Sequence, residues 1–169
     1  MKLNQLKKGF FLICFILSYI PNSFALYSEN RFEHLTTKDG LPSLRIHDIY
    51  QDSQGYMWFL TDKGASKFDG LEHQYYNTNS KVPIINNFTY DITEDDFGGI
   101  WISTEGGLTL IKNEKSDGYL KNKYLSVVLN TKLGIFALGT KYAYLFDSAN
   151  KKFKQIDFLK DIDESNITD

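Results

Sequence analysis

The sequence predicts an all-β protein built from four-stranded antiparallel blades of a β-propeller, in an incomplete ring of about three blades. Three observations predict it. A segment of 21 residues, Asp48–Phe68, recurs without a gap as Asp91–Ile111, 43 positions on. Each copy breaks into short strand-like runs separated by turn residues. Aromatic residues make up 15% of the chain, with 13 Phe and 11 Tyr, and such residues favour strands and supply large buried area.

The N-terminus is set apart from this fold. Lys2, Lys7 and Lys8 precede an uncharged, mostly apolar run from Gly9 to Ile20, and Ser23-Phe24-Ala25 offers small residues for cleavage after Ala25. This is the three-part pattern of a secretory signal peptide over residues 1–25. The run is shorter than the roughly 20 apolar residues that span a bilayer. Removing it takes away three lysines and no acid, so the net charge moves from −2 to −5. That balance, with no basic cluster, excludes nucleic acid as a partner class. Cys14 is the only cysteine and lies inside the signal, so the mature chain has no disulfide framework and no cysteine metal site.

Within the repeat, Asp48 matches Asp91, Ile49 Ile92, Asp52 Asp95, Gly55 Gly98, Trp58 Trp101, Thr61 Thr104 and Gly64 Gly107. In the first copy, Arg45–Gln51 alternates, with Ile46, Asp48 and Tyr50 on one face and His47, Ile49 and Gln51 on the other. Asp52-Ser53-Gln54-Gly55 is a tight turn. Tyr56–Leu60 is a continuous apolar run of the kind found in strands buried on both faces. Asp62-Lys63-Gly64 turns the chain into Ala65–Phe68, and Asp69-Gly70 is a hairpin signal leading to Leu71–Tyr76. Four strands in about 40 residues is a propeller blade. A degraded third copy follows at an offset of 35, with Phe136 in place of Trp101, Leu145-Phe146 in place of Leu110-Ile111, and Tyr142 in place of Gly107. The expected repeats run over about 41–76, 84–120 and 124–158, inside a partial propeller of 26–169. Trp58, Trp101 and Phe136 are expected in the core between blades. Gly55, Gly64, Gly98 and Gly107 are expected where a Cβ would clash.

Residues 31–36 resemble an outermost strand without a blade ahead of it, and are expected to complete the last blade of a closed ring. Propellers hold about four to eight blades. The expectation is therefore that the chain is the N-terminal piece of a longer protein or a truncated gene product. A ring assembled from several short chains, by self-association through open blade edges, is the alternative.

The run Asp-Ile-x-x-Asp-x-x-Gly-x-Ile-Trp-Ile-x-Thr-x-x-Gly-Leu at Asp91–Leu108 resembles the two-component regulator propeller repeat. Phe32-x-x-Leu35-Thr36-x-x-Asp39-Gly40-Leu41 resembles the start of those sensor domains. The resemblance is good over Arg31 to about Lys112 and poor over Tyr124–Lys154. It implies the N-terminal part of a periplasmic sensor region of a bacterial hybrid histidine kinase, with an oligosaccharide or similar small ligand. It implies attachment to a membrane only through a longer parent protein. The sequence itself holds no kinase motif, phospho-acceptor domain or second hydrophobic span.

No catalytic, cofactor-binding or metal residues are assigned. Glu94, Asp95 and Asp96 do not follow a calcium-loop pattern, and Asp95 is expected to open a solvated turn. Glu105-Gly106-Gly107 lacks the Gly-Lys-Ser/Thr of a phosphate loop. His34, His47 and His73 lack metal-ligand spacing and lie in different strands. No serine sits in a nucleophile elbow. A propeller enzyme such as a lyase would need a His/carboxylate or metal cluster, and none is readable. The aromatics that could stack on sugar rings are Tyr56, Tyr75, Tyr76, Phe88 and Tyr90, each also explicable by packing between strands. A ligand site belongs in the loops of one face or along the channel.

Overall fold

A computed structural model describes residues 34–156. Twelve strands form three four-stranded antiparallel sheets. Blade 1 is β1 (Ile46–Gln51), β2 (Met57–Thr61), β3 (Gly64–Phe68) and β4 (His73–Tyr76). Blade 2 is β5 (Thr89–Glu94), β6 (Ile100–Thr104), β7 (Gly107–Lys112) and β8 (Lys115–Tyr119). Blade 3 is β9 (Leu125–Thr131), β10 (Gly134–Gly139), β11 (Ala143–Asp147) and β12 (Lys152–Ile156). The first strands of successive blades neighbour one another, β1 with β5 and β5 with β9. These strands therefore line the inner side, and β4, β8 and β12 the outer edge. The signal segment and residues 31–33 and 165–169 lie outside the described residues, and His34–Thr36 carry no strand.

The Asp–Gly turn between the first two strands of blades 1 and 2 explains the shared motif. Asp52 Oδ1 accepts the N–H groups of Gln54 and Tyr56, each at 3.0 Å, and its Oδ2 accepts the indole N–H of Trp58 at 2.8 Å. Asp95 repeats this with Phe97, Gly99 and Trp101 at 2.9, 2.8 and 2.8 Å. One carboxylate thus closes the turn and fixes the ring that fills the core. The third copy lacks both partners, and Phe136 needs no acceptor.

Each tryptophan serves the junction after its own blade. Trp58 packs with Leu60, Ala65 and Tyr76 against Ile92, Ile100, Ile102 and Ile111 of blade 2, with Val82 and Ile84 from the connection between the blades. Trp101 packs with Leu108 against Leu125, Val128, Ile135, Ala137 and Tyr144 of blade 3. Phe136 pairs with Leu129 and Leu145 as Trp101 pairs with Thr93 and Leu110, but it is half-buried and belongs to neither cluster. The position of Ile49 makes the same point. It is 53% exposed, whereas its counterpart Ile92, covered by blade 1, is 4% exposed.

The alternation expected over Arg45–Gln51 fails at one place. The pairing jumps from Ile46↔Thr61 to Asp48↔Leu60, leaving His47 as an extra residue in a β-bulge. Blade 2 has the same irregularity at Tyr90, and blade 3 at Ser126. The glycines need a correction too. Gly55 and Gly98 have φ of +89° and +75°; a Cβ at Gly55 would meet nothing and one at Gly98 only an ordinary contact with Glu94 Oε1 at 3.8 Å, so the turn conformation requires them. Gly64 and Gly107 combine φ of +118° and +145° with close approach of the Tyr76 and Tyr119 carbonyl oxygens. Gly64→Ala is therefore expected to cost about 3 kcal/mol and Gly55→Ala about 1 kcal/mol. Urea unfolding of the two variants should separate them in that order.

His73 lies on the side of blade 1 that faces no other sheet among the described residues. It stacks on Phe68 at 4.5 Å, and its Nδ1 is 3.2 Å from the buried Ser66 Oγ. In blade 2 the matching hydroxyl, Thr109 Oγ1, accepts the Ile85 N–H at 3.1 Å. Pro42 stands at the position of Ile85 and has no N–H to give, so the hydroxyl turns to His73. Burial lowers the His73 pKa, with Asp39 and Asp69 partly opposing. The imidazole therefore charges less readily in the fold than in the unfolded chain. Its contribution to stability is full above the unfolded value of about 6.5 and is lost as pH falls below it. The urea midpoint should drop between pH 7.5 and 5.5, and the drop should be smaller in His73→Phe. Equal drops in both proteins would remove His73 as the cause.

Candidate functional site

The bulges build the most distinctive surface of the molecule. A bulge re-aims the side chain of its extra residue, and here that residue crosses to the next blade. His47 stacks on Phe88 with ring centroids 4.8 Å apart and lies 13° from coplanar with Tyr90 at 5.8 Å. Phe88 and Tyr90 are 5.2 Å apart, and Tyr90 reaches Tyr124 at 5.1 Å. Phe88 and Tyr124 hold matching positions, each just before the first strand of its blade. Four rings from three blades therefore form one continuous rim where the inner strands begin.

The rim is held from below. Thr89 is fully buried, and its hydroxyl accepts the Thr61 N–H at 2.9 Å and donates to the Thr61 carbonyl at 2.8 Å, tying blades 1 and 2. His47 Nδ1 lies 2.5 Å from the Thr89 carbonyl oxygen, so that nitrogen carries the proton. Asp91 accepts the Val128 N–H at 2.8 Å, tying blades 2 and 3. Asp48, its counterpart, has its pKa raised by burial and by the neighbouring Asp91 carboxylate. Burial, with a hydrogen bond to Tyr124, pushes the Tyr90 phenol up to about 12. Tyr90 is a neutral phenol throughout the physiological range.

Beyond Tyr124 the rim opens into a cleft of about 150 Å³ lined by Asn122, Lys123, Tyr124, Lys141, Tyr142 and Tyr144, among others. Tyr124 and Tyr142 are 39% and 46% exposed. Gly139 forms part of this wall, and a Cβ there would come within 2.5 Å of the Tyr124 carbonyl oxygen.

The aromatics that could stack on sugars divide clearly. Phe88 and Tyr90 are in the rim. Tyr76 is not available: it is 3% exposed and packs on Trp58 at 5.1 Å, because its position on β4 faces the junction. Tyr75 is exposed on the outer strand of blade 1. Tyr56 lies under Lys67, whose Nζ is 3.7 Å from the ring centroid, at the edge of a polar groove with Glu72 and Glu114. His34 is exposed. The rim residues missed by sequence reading are His47, taken as a plain strand residue, and Tyr124. The signal for His47 was its 43-residue match to Tyr90.

The acids also find local roles. Glu94 accepts the Ser53 N–H and hydroxyl at 2.7 and 2.6 Å, and Asp96 accepts the Asn130 amide at 2.9 Å. These three bonds join neighbouring blades at the end opposite Thr89. Among the described residues no group of three or more His, Cys, Asp or Glu is placed to hold a metal ion.

A family model for the two component regulator propeller matches residues 40–63 and 83–106. The two matches are again 43 residues apart and span the entry, the Asp–Gly turn and the tryptophan strand of blades 1 and 2. No curated protein matches the sequence. A solved structure described as the extracellular domain of a hybrid two component system, BT3049 from B. thetaiotaomicron, is similar with a TM-score of 0.64 and 25% identity. The match covers 73% of this chain and 20% of that one. A second, described as the extracellular domain of the hybrid two component system BT4673 from the same organism, has a TM-score of 0.60 and 18% identity. That match covers 76% of this chain and 18% of the other, and supports the fold alone. The chain thus spans about a fifth of the length of these solved relatives. Its first two blades match the two component regulator propeller model, and its three sheets have the architecture of β-propeller blades.

Proposed function

We propose that this chain is the N-terminal part of a periplasmic ligand-sensing propeller of a two-component regulatory system, and that it binds an oligosaccharide or a similar small ligand across the aromatic rim. The observation that carries this reading is the rim itself. His47, Phe88, Tyr90 and Tyr124 come from three blades and meet at the loop-bearing end of the inner strands. Flat rings with hydroxyl and imidazole edges suit the apolar faces and hydroxyl groups of sugars. The similarity to an extracellular domain of a hybrid two component system and the secretory pattern of residues 1–25 support export to the periplasm. The role is recognition, since the sequence carries no kinase motif.

The full chain, expressed with its own leader, should appear in the periplasmic fraction. Calorimetric titration against a panel of neutral oligosaccharides should find binders, and Phe88→Ala and Tyr90→Ala should each weaken binding about tenfold, as loss of a stacking ring does. Tyr75→Ala on the outer strand should leave it unchanged. Binding insensitive to Phe88 and Tyr90, or no binding across the panel, would sink the reading.

A further inference from the structure

The cleft beside Tyr124 differs in chemistry from the rest of the rim, and the difference begins in the repeat. In blades 1 and 2 the turn between the second and third strands opens with an acid, Asp62 or Glu105, and ends on a glycine, Gly64 or Gly107. In blade 3 the matching residues are Thr140 and Tyr142, with Lys141 between them. The acid is gone, a lysine has arrived, and a tyrosine replaces the residue whose absence of side chain lets the other two turns pack.

The side chains brought in all border the same space. Tyr142 and Tyr124 are both exposed, and Lys123 and Lys141 flank them with Asn122. Among the described residues no carboxylate lines the cleft. Neither lysine has an ion-pair partner among the described residues. By contrast, the groove at the outer edge of blade 1 holds Asp69, Glu72 and Glu114 beside its one lysine.

The walls are also fixed. Leu120 and Asn122 sit at φ of +48° and +63°, a conformation that a branched residue such as leucine rarely adopts. The Asn122 N–H donates to the Gly106 carbonyl at 2.8 Å, and the Lys123 N–H to the Leu120 carbonyl at 3.1 Å. The Gly139 N–H donates to the Tyr142 carbonyl at 2.9 Å. Preorganised walls keep the ordering cost of binding low. At about 150 Å³ the cleft is well below the range of pockets that enclose drug-sized ligands, so it suits a single ring of a longer molecule.

The geometry points to this cleft as the subsite for one acidic sugar residue, a pyranose bearing a carboxylate or sulfate. Tyr124 and Tyr142 receive the ring, Lys123 and Lys141 meet its charge, and the neutral residues of the same oligosaccharide lie along Tyr90, Phe88 and His47. This rests on the reading of the rim as a saccharide site and adds the class of sugar at its blade 3 end.

The test titrates the full chain with a galacturonic acid trimer, the matching galactose trimer, a sulfated galactose trimer and inorganic sulfate. The acidic trimers should bind about tenfold more tightly than the neutral one, since two exposed charge contacts are each worth about threefold. In K123Q/K141Q, two exposed positions that should leave the fold intact by circular dichroism, that preference should vanish while neutral binding stays. Comparing the carboxylated and sulfated trimers shows which acid is preferred. Equal affinity for acidic and neutral trimers, or a preference that survives in K123Q/K141Q, overturns the acidic subsite and leaves the rim reading standing. Inorganic sulfate competing as well as the acidic trimers also overturns it, because the site would then recognise an anion without its sugar. Binding of none of the sugars overturns both readings.

Discussion

Trp101→Ala should lower the stability of the full chain by about 4 kcal/mol, the range seen when a large buried aromatic is truncated. Trp101 is 1% exposed, and its ring meets Tyr119, Phe146 and Phe153 at 5.3, 5.1 and 5.8 Å. The substitution empties the middle of the junction between blades 2 and 3 and leaves Asp95 Oδ2 without its indole partner. Domains of this kind are typically stable by about 5–15 kcal/mol, so the variant should populate unfolded chain at low urea. Trp101→Phe keeps most of the apolar area and should lose roughly half as much. Urea unfolding followed by far-ultraviolet circular dichroism would measure both. A loss near 1 kcal/mol for Trp101→Ala would mean that the junction does not form in solution as described.

Asp52→Ala should be nearly as costly, at about 3–4 kcal/mol, although it removes no apolar surface. Asp52 is 7% exposed and accepts three hydrogen bonds, two from backbone and one from Trp58. Losing the carboxylate strands the buried Trp58 indole N–H and the half-buried Tyr56 N–H, while the exposed Gln54 N–H can turn to water; a buried donor left unpaired costs about 1–3 kcal/mol. Asp52→Asn keeps one oxygen acceptor and should fall between wild type and alanine. Because Trp58 is held by the same carboxylate, a double-mutant cycle of Asp52→Ala with Trp58→Phe should show coupling of about 1–2 kcal/mol. Strict additivity would show that the turn and the indole are independent, contrary to the geometry.

Much of the blade was legible because its signals are local. Asp52 and Gly55 mark the turn, and the 43-residue offset marks the unit. What escaped depends on residues brought from another blade. The bulge at His47 inserts one residue without altering the apolar content of β1, so the pattern read as unbroken alternation. Ile49 and Ile92 are the same residue in the same repeat position, yet one is open and the other closed, because only blade 2 has a sheet in front of it. Tyr76 could be read as a packed or a surface ring, because the run Tyr75-Tyr76 gives no hint which one turns inward; pairing with Ala65 places Tyr76 beside Trp58. Tyr142 read as decay of the repeat. Loss of the repeat glycine did mark a departure from scaffold, but what replaced it could be understood only once Tyr124, 18 positions earlier, stood across the cleft.

No backbone ladder runs from one sheet to the next among the described residues. At the rim, what spans each seam is largely one ring bearing on another: His47 on Phe88, then Tyr90 on Tyr124. A molecule resting on several of these rings would act as a brace across both seams. Its affinity would depend on the angle at which neighbouring sheets meet, and by thermodynamic reciprocity its presence would bias that angle. A recognition surface assembled across seams in this way couples occupancy to the pitch between blades without any hinge in the chain itself.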